Sequence, residues 1–158
     1  MSELKIIENF KRDENGLLTK PITPYIFNED GSIDWRSMVR KEFLVSNKER
    51  TKETDVTKLE DKDLIILLGG IKELAQIRGY TNVSYVVSAP NQDYVAAVCS
   101  ISFIPNYETG GKEITFSAVG DASPYNTKDF AKNYLGPIAE NRAFCRCVRS
   151  FLKINIVA

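Results

Sequence analysis

The chain contains no histidine. That removes the commonest general base, the Ser–His and Cys–His nucleophilic pairs, and every histidine-ligated metal centre. Cysteine is scarce as well. Cys99, Cys145 and Cys147 are odd in number and include no CxxC spacing to hold zinc, so all three read as packing residues. No apolar run approaches the roughly 18 residues a membrane span needs. The opening MSELKIIENFKRDENG lacks the basic-then-apolar order of a secretory signal. The expectation is a cytoplasmic protein without a membrane partner, metal or cofactor, and not an enzyme. Net charge is missing too: 21 basic and 21 acidic residues cancel.

What is present is more telling. A chain of 158 residues with 43% hydrophobic and 27% charged content is long enough for one domain with a substantial core. Its charges are unevenly spread. Arg36, Arg40, Lys41, Lys48, Arg50 and Lys52 stand against only Glu42 and Glu49, and acids gather in Glu53 to Asp63. A second basic block, Lys128, Lys132, Arg142, Arg146, Arg149 and Lys153, faces only Asp121, Asp129 and Glu140. A neutral chain with two such blocks can still build a positive groove.

The first third, with Gly16, Pro21, Pro24 and Asn28-Glu29-Asp30-Gly31, reads as an arm or subunit-contact segment over residues 1–56. Within it Ser32 is the expected cap of a short helix reaching Val39, with Trp35 and Met38 on its buried side. Residues 57–158 read as the core. Thr57-Lys58-Leu59-Glu60 is a capping box, and Leu64, Leu67, Leu68, Ile71, Leu74 and Ala75 follow at helical spacing. Gly69 and Gly70 fall mid-helix, where each costs about 1 kcal/mol relative to Ala unless something approaches closely.

Three strands are expected next, Val83 to Ala89, Tyr94 to Ile104 and Lys112 to Val119, with a turn at Pro90-Asn91-Gln92-Asp93. Short links make them an antiparallel meander that needs cover on one face. A last helix from Thr127, whose hydroxyl can cap it, to Leu152 supplies that cover, with a kink or break at Gly136-Pro137. The fold class expected is therefore α+β, an αβββα core. Ile154 to Ala158 stop abruptly without a polar tail, as a longer protein cut after its core would.

On the last helix Arg142, Arg146, Arg149 and Lys153 are spaced 4, 3 and 4, which puts them in one stripe. Like charges at that spacing cost a helix roughly 0.2–0.5 kcal/mol per pair. Guanidinium forks without matching carboxylates suit a phosphate backbone. A solvated face, or salt bridges to Glu53–Asp63, explains the stripe equally well. Tyr94, Phe103, Tyr107 and Phe116 could stack on bases, with sheet packing as the competing reading.

Other signals carry less. Asp55 and Glu60-Asp61-Lys62 look like nuclease carboxylates and lysine, but they cluster at an expected helix start, where acids favour the dipole. Gly110-Gly111-Lys112 lacks the spacing, the Ser/Thr and the helix of a phosphate loop. A structural or assembly protein with a basic subunit-contact helix stays open. So does a double-stranded-RNA-binding module, which shares the αβββα order.

Helix, three-stranded meander and long basic helix, in that order, resemble the Rad-fifty-two superfamily of single-strand annealing proteins, which includes phage annealases. Three segments carry the likeness: Arg146-Cys147-Val148-Arg149-Ser150-Phe151, Val119-Gly120-Asp121, and more loosely Glu42-Phe43-Leu44-Val45-Ser46-Asn47-Lys48-Glu49-Arg50. It spans about residues 42–153. The resemblance implies ATP-independent binding of single-stranded DNA and annealing of complementary strands in recombination and repair. It also implies a homo-oligomeric ring or helical arc. By position it assigns phosphate contacts to Arg146 and Arg149 and an upstream contact to Arg50, while Cys145 replaces a basic residue found in some members. Helical spacing adds Arg142 and Lys153, and Lys48 and Lys52 are weaker candidates. Further candidate partners are a single-strand-binding protein or an exonuclease.

Overall fold

The computed structural model describes residues 6–7, 25–106 and 109–154. It is an α+β structure with a three-stranded antiparallel sheet and helices. The chain forms two compact units, Met1–Gly79 with Leu152–Ala158, and Tyr80–Phe151.

In the first unit β1 (Ile6–Ile7) pairs antiparallel with β2 (Tyr25–Ile26). One helical turn follows, α1 (Trp35–Met38), with Trp35 and Met38 buried as expected. Its cap is Asp34, which accepts from the Ser37 amide, and not Ser32, which bonds Asp30 instead.

The expected helix from Thr57 does not form. Asp55 accepts from both the amide and the hydroxyl of Thr57, closing a short 3-10 turn over Val56–Lys58. A second 3-10 turn spans Asp61–Asp63, and β4 (Leu64–Ile66) then pairs antiparallel with β3 (Leu44–Ser46). Leu64 and Ile66 are fully buried at a spacing of two, the period of a strand. Only then does α2 (Leu68–Arg78) begin, burying Ile71, Leu74, Ala75 and Ile77 and ending at Gly79 with φ +91°.

Gly69 and Gly70 therefore lie in the first turn of α2 and not mid-helix. A Cβ on Gly69 would stand 2.5 Å from Cε1 of Phe43, and one on Gly70 would stand 2.9 Å from Phe43 Cβ and Ile66 Cγ2. The close neighbour is a side chain, and both glycines make room for it.

The second unit is the meander. Strand β5 (Tyr80–Asn91) pairs with β6 (Tyr94–Phe103), and β6 with β7 (Ile114–Ala122), in the order β5-β6-β7. Alternation decides the faces. Ala97, Cys99, Ile101 and Phe103 of β6 are buried, and they pair with Gly120, Ala118, Phe116 and Ile114 of β7. The opposite face carries a hydroxyl ladder, with Ser100–Ser117 at 2.7 Å and Ser102–Thr115 at 2.9 Å.

Helix α3 (Leu135–Leu152) covers the inner face. The ring of Phe151 stacks on Phe103 at 3.8 Å and meets Phe116 edge-on at 5.7 Å. Cys147 lies 3.2 Å from the Phe116 carbonyl, and all three cysteines are buried. Strand and helix come into close contact at Gly120, where a Cβ would lie 2.7 Å from the Ala139 carbonyl oxygen. Only glycine fits under the helix there.

The helix starts later than expected. Thr127 gives its hydroxyl to the Ser123 carbonyl, 2.9 Å away, closing a loop instead of capping a helix. Pro137 then falls in the first turn of α3, where a missing N–H costs nothing, so no kink or break is needed. No helix among the described residues is long and apolar enough to cross a membrane.

Candidate nucleic-acid interface

Helix α3 aims two arginines along the edge strand β7. The Nη1 of Arg146 donates to the Val119 carbonyl at 3.0 Å, and Nη1 of Arg142 donates to the Asp121 carbonyl at 2.8 Å. Residues two apart on a strand present their carbonyls on the same side. The two guanidiniums are thus seated side by side on one strand. Arg142 also holds the loop after β7, donating to Oδ1 of Asn126 at 2.9 Å and to its carbonyl at 2.6 Å.

Carbonyl oxygens are neutral. They orient a guanidinium without cancelling its charge, and neither Arg142 nor Arg146 pairs with a carboxylate among the described residues. Arg146 is exposed, and the bond to Val119 uses only Nη1, so Nε and Nη2 remain as further donors.

The rest of the stripe is less uniform. Arg149 is half-buried, and burial followed by the neighbouring Arg146 charge lowers its pKa. Lys153 is not on the helix. It follows the last helical residue with φ +58°, so the helical spacing that assigned it to the stripe stops at Leu152. The side chain is exposed.

The upstream candidates belong to the first unit. Lys48 and Arg50 are exposed on the turn after β3, Lys52 is exposed just beyond it, and Arg50 lies 3.7 Å from the Asp63 carboxylate. The acidic block is occupied locally. Arg36 pairs with Asp61 at 2.8 Å, Lys58 with Glu53 at 3.9 Å and Lys62 with Glu60 at 3.3 Å. Arg40 pairs with Glu42 and Glu73, both at 2.9 Å. Three of the six residues of the first basic block, Arg36, Arg40 and Arg50, therefore meet carboxylates, whereas Arg142 and Arg146 meet none among the described residues.

Of the four aromatic candidates, Phe103 and Phe116 are packing residues against Phe151, and Tyr107 lies outside the described residues. Tyr94 donates to the Asp121 carboxylate at 3.2 Å; partial desolvation, then that acidic neighbour, raises its pKa. The aromatic that the sequence reading passed over is Tyr125. It is 97% exposed in the loop that Arg142 holds. With Asn91, Gln92, Asp93, Tyr94 and Ser123 it lines an open cleft of about 680 Å³. A loop aromatic has no periodicity to betray it; only its position beside Arg142 marks it.

No protein-family model, curated protein or solved structure matches the chain.

Proposed function

We propose that the protein binds single-stranded DNA along the Arg142–Arg146 edge of its sheet and anneals complementary strands without ATP, as a homo-oligomer. One observation carries this reading: two adjacent guanidiniums are oriented by backbone carbonyls and carry no compensating carboxylate among the described residues. Such groups are already ordered, so less side-chain freedom is lost when they grip a phosphate. Counterion release supplies most of the affinity. Tyr125 offers one face for a base and leaves that base's pairing edge open to a complementary strand. Pairing then draws on base stacking, about 1.4 kcal/mol per step in a DNA duplex. Arg149 is a secondary contact on the same helix in this proposal; Lys48, Arg50, Lys52 and Lys153 belong to the other unit and are candidates by themselves. The sequence resemblance of residues 42–153 to annealing proteins is in keeping with it.

A second reading has its own observation. Arginines seated on edge-strand carbonyls are also a way to blunt a sheet edge, a purely structural task. Fluorescence anisotropy with labelled oligo-dT, duplex DNA and duplex RNA separates the readings, together with a strand-annealing assay. Salt-sensitive binding to oligo-dT with faster annealing supports the proposal. Binding to none of the three assigns the arginines to the structural task, and preference for duplex RNA assigns the sheet to another class.

A further inference from the structure

Strand β5 is the longest among the described residues, 12 residues from Tyr80 to Asn91, and it lies at the edge of its sheet. Only β6 pairs with it among the described residues, so one row of its backbone N–H and C=O groups has no strand partner there. Its side chains are just as open. Val86 is 71% exposed, Val87 48% and Tyr85 38%. Natural edge strands of this kind are protected by lysines, by inward charges or by brevity. Tyr-Thr-Asn-Val-Ser-Tyr-Val-Val-Ser-Ala-Pro-Asn has none of these: it carries no charge in a chain that is 27% charged. Pro90 and the register shifts against β6 at Tyr80–Asn82 and Ser88–Asn91 guard only its two ends.

We propose that β5 is a self-association edge, pairing antiparallel with β5 of a second copy across a two-fold axis to make one continuous six-stranded sheet. One feature favours a second copy, and another favours two-fold over head-to-tail pairing. Antiparallel self-pairing sets each residue opposite one from the same segment, which penalises any strand bearing like charges; β5 has none to oppose. Head-to-tail continuation would need the other edge, β7, where Arg142 and Arg146 already occupy the Asp121 and Val119 carbonyls. The two edges are therefore chemically unlike: β7 carries two arginines on its Val119 and Asp121 carbonyls, while β5 has no charged residue and no second strand partner among the described residues. Apolar Tyr85, Val86 and Val87 would fall near the axis and lose exposure on pairing. The contact rests on the sheet alone and does not depend on nucleic-acid binding.

Sedimentation equilibrium on the full chain tests it, beside a Val86→Lys variant whose fold is checked by circular dichroism. The expected result is a mass twice the 17.8 kDa of one chain, or an even multiple of it, insensitive to salt, falling to a smaller species in Val86→Lys. Hydrogen exchange on the wild type gives an independent reading should the variant misfold. Amides of Tyr80–Asn91 should gain protection as protein concentration rises. A monomer at tens of micromolar, an odd-numbered ring, or an assembly that Val86→Lys and β5 exchange leave unchanged would overturn the proposal. Loss of assembly in Val86→Lys with no oligo-dT binding by either protein would sink the nucleic-acid reading and leave this one standing.

Discussion

Gly120 and Ala143 meet without a side chain between them. A Cβ on Gly120 would crowd the Ala143 amide and stand 2.8 Å from the Arg142 carbonyl carbon, all of it helix backbone that cannot swing aside. This contact brings α3 close enough for Arg142 and Arg146 to reach the carbonyls on either side of Gly120, those of Asp121 and Val119. Gly120→Ala should therefore destabilise the protein by about 3 kcal/mol, the upper range for overpacking, against a gain of about 0.5–1 kcal/mol from replacing a strand glycine. Urea unfolding reads the difference; an unchanged midpoint would mean the helix does not press on β7.

Gly70→Ala sets two effects against each other. Alanine gains about 1 kcal/mol of helix propensity, less in a first turn. Its Cβ would stand 2.9 Å from both Phe43 Cβ and Ile66 Cγ2 and 3.3 Å from Val39 Cγ1. Phe43 Cβ is fixed to backbone, so the clash should win and leave a net loss of about 1 kcal/mol. Thermal melting decides the sign, and a stabilised variant would contradict the packing of α2 on Phe43.

Tyr94 should titrate above the ordinary 10.0, because partial desolvation and then the Asp121 carboxylate disfavour its anion. The folded value exceeds the unfolded one. Whatever stability the tyrosine contributes is thus complete below pH 10.0 and is lost as pH rises through the raised value. Absorbance at alkaline pH follows the phenolate. Asp121→Asn should bring the titration part of the way back, since desolvation remains; no movement would mean the carboxylate is not a partner.

Salt dependence measures how many phosphates are neutralised. Arg142 and Arg146 alone give a slope of log affinity against log salt of about −1.4 for a single strand, and four contacts give about −3. A slope near zero, at measurable affinity, would contradict a phosphate-gripping edge.

The meander was legible because β6 alternates cleanly: Ala97, Cys99, Ile101 and Phe103 form one buried face, and Pro90 to Asp93 announce the turn. Asp55 hid the start of α2. Its carboxylate takes the Thr57 amide and hydroxyl, and Leu64-Ile65-Ile66-Leu67-Leu68 satisfies strand and helix periods alike until pairing with β3 chooses. The arginine spacing correctly placed Arg142, Arg146 and Arg149 on one helix. It overran at Lys153, where a left-handed residue ends the turn. Nothing in the spacing could show that the arginines bond backbone carbonyls, since those acceptors belong to every residue.

The most direct measurement compares oligo-dT binding by the wild type and by Arg146→Glu. Arg146 is exposed and bonds only one carbonyl, so the variant should fold. The expected outcome is binding by the wild type and its loss in Arg146→Glu, with unchanged melting temperature. Equal affinity in both proteins, or no affinity in the wild type, would contradict a DNA-binding edge on β7.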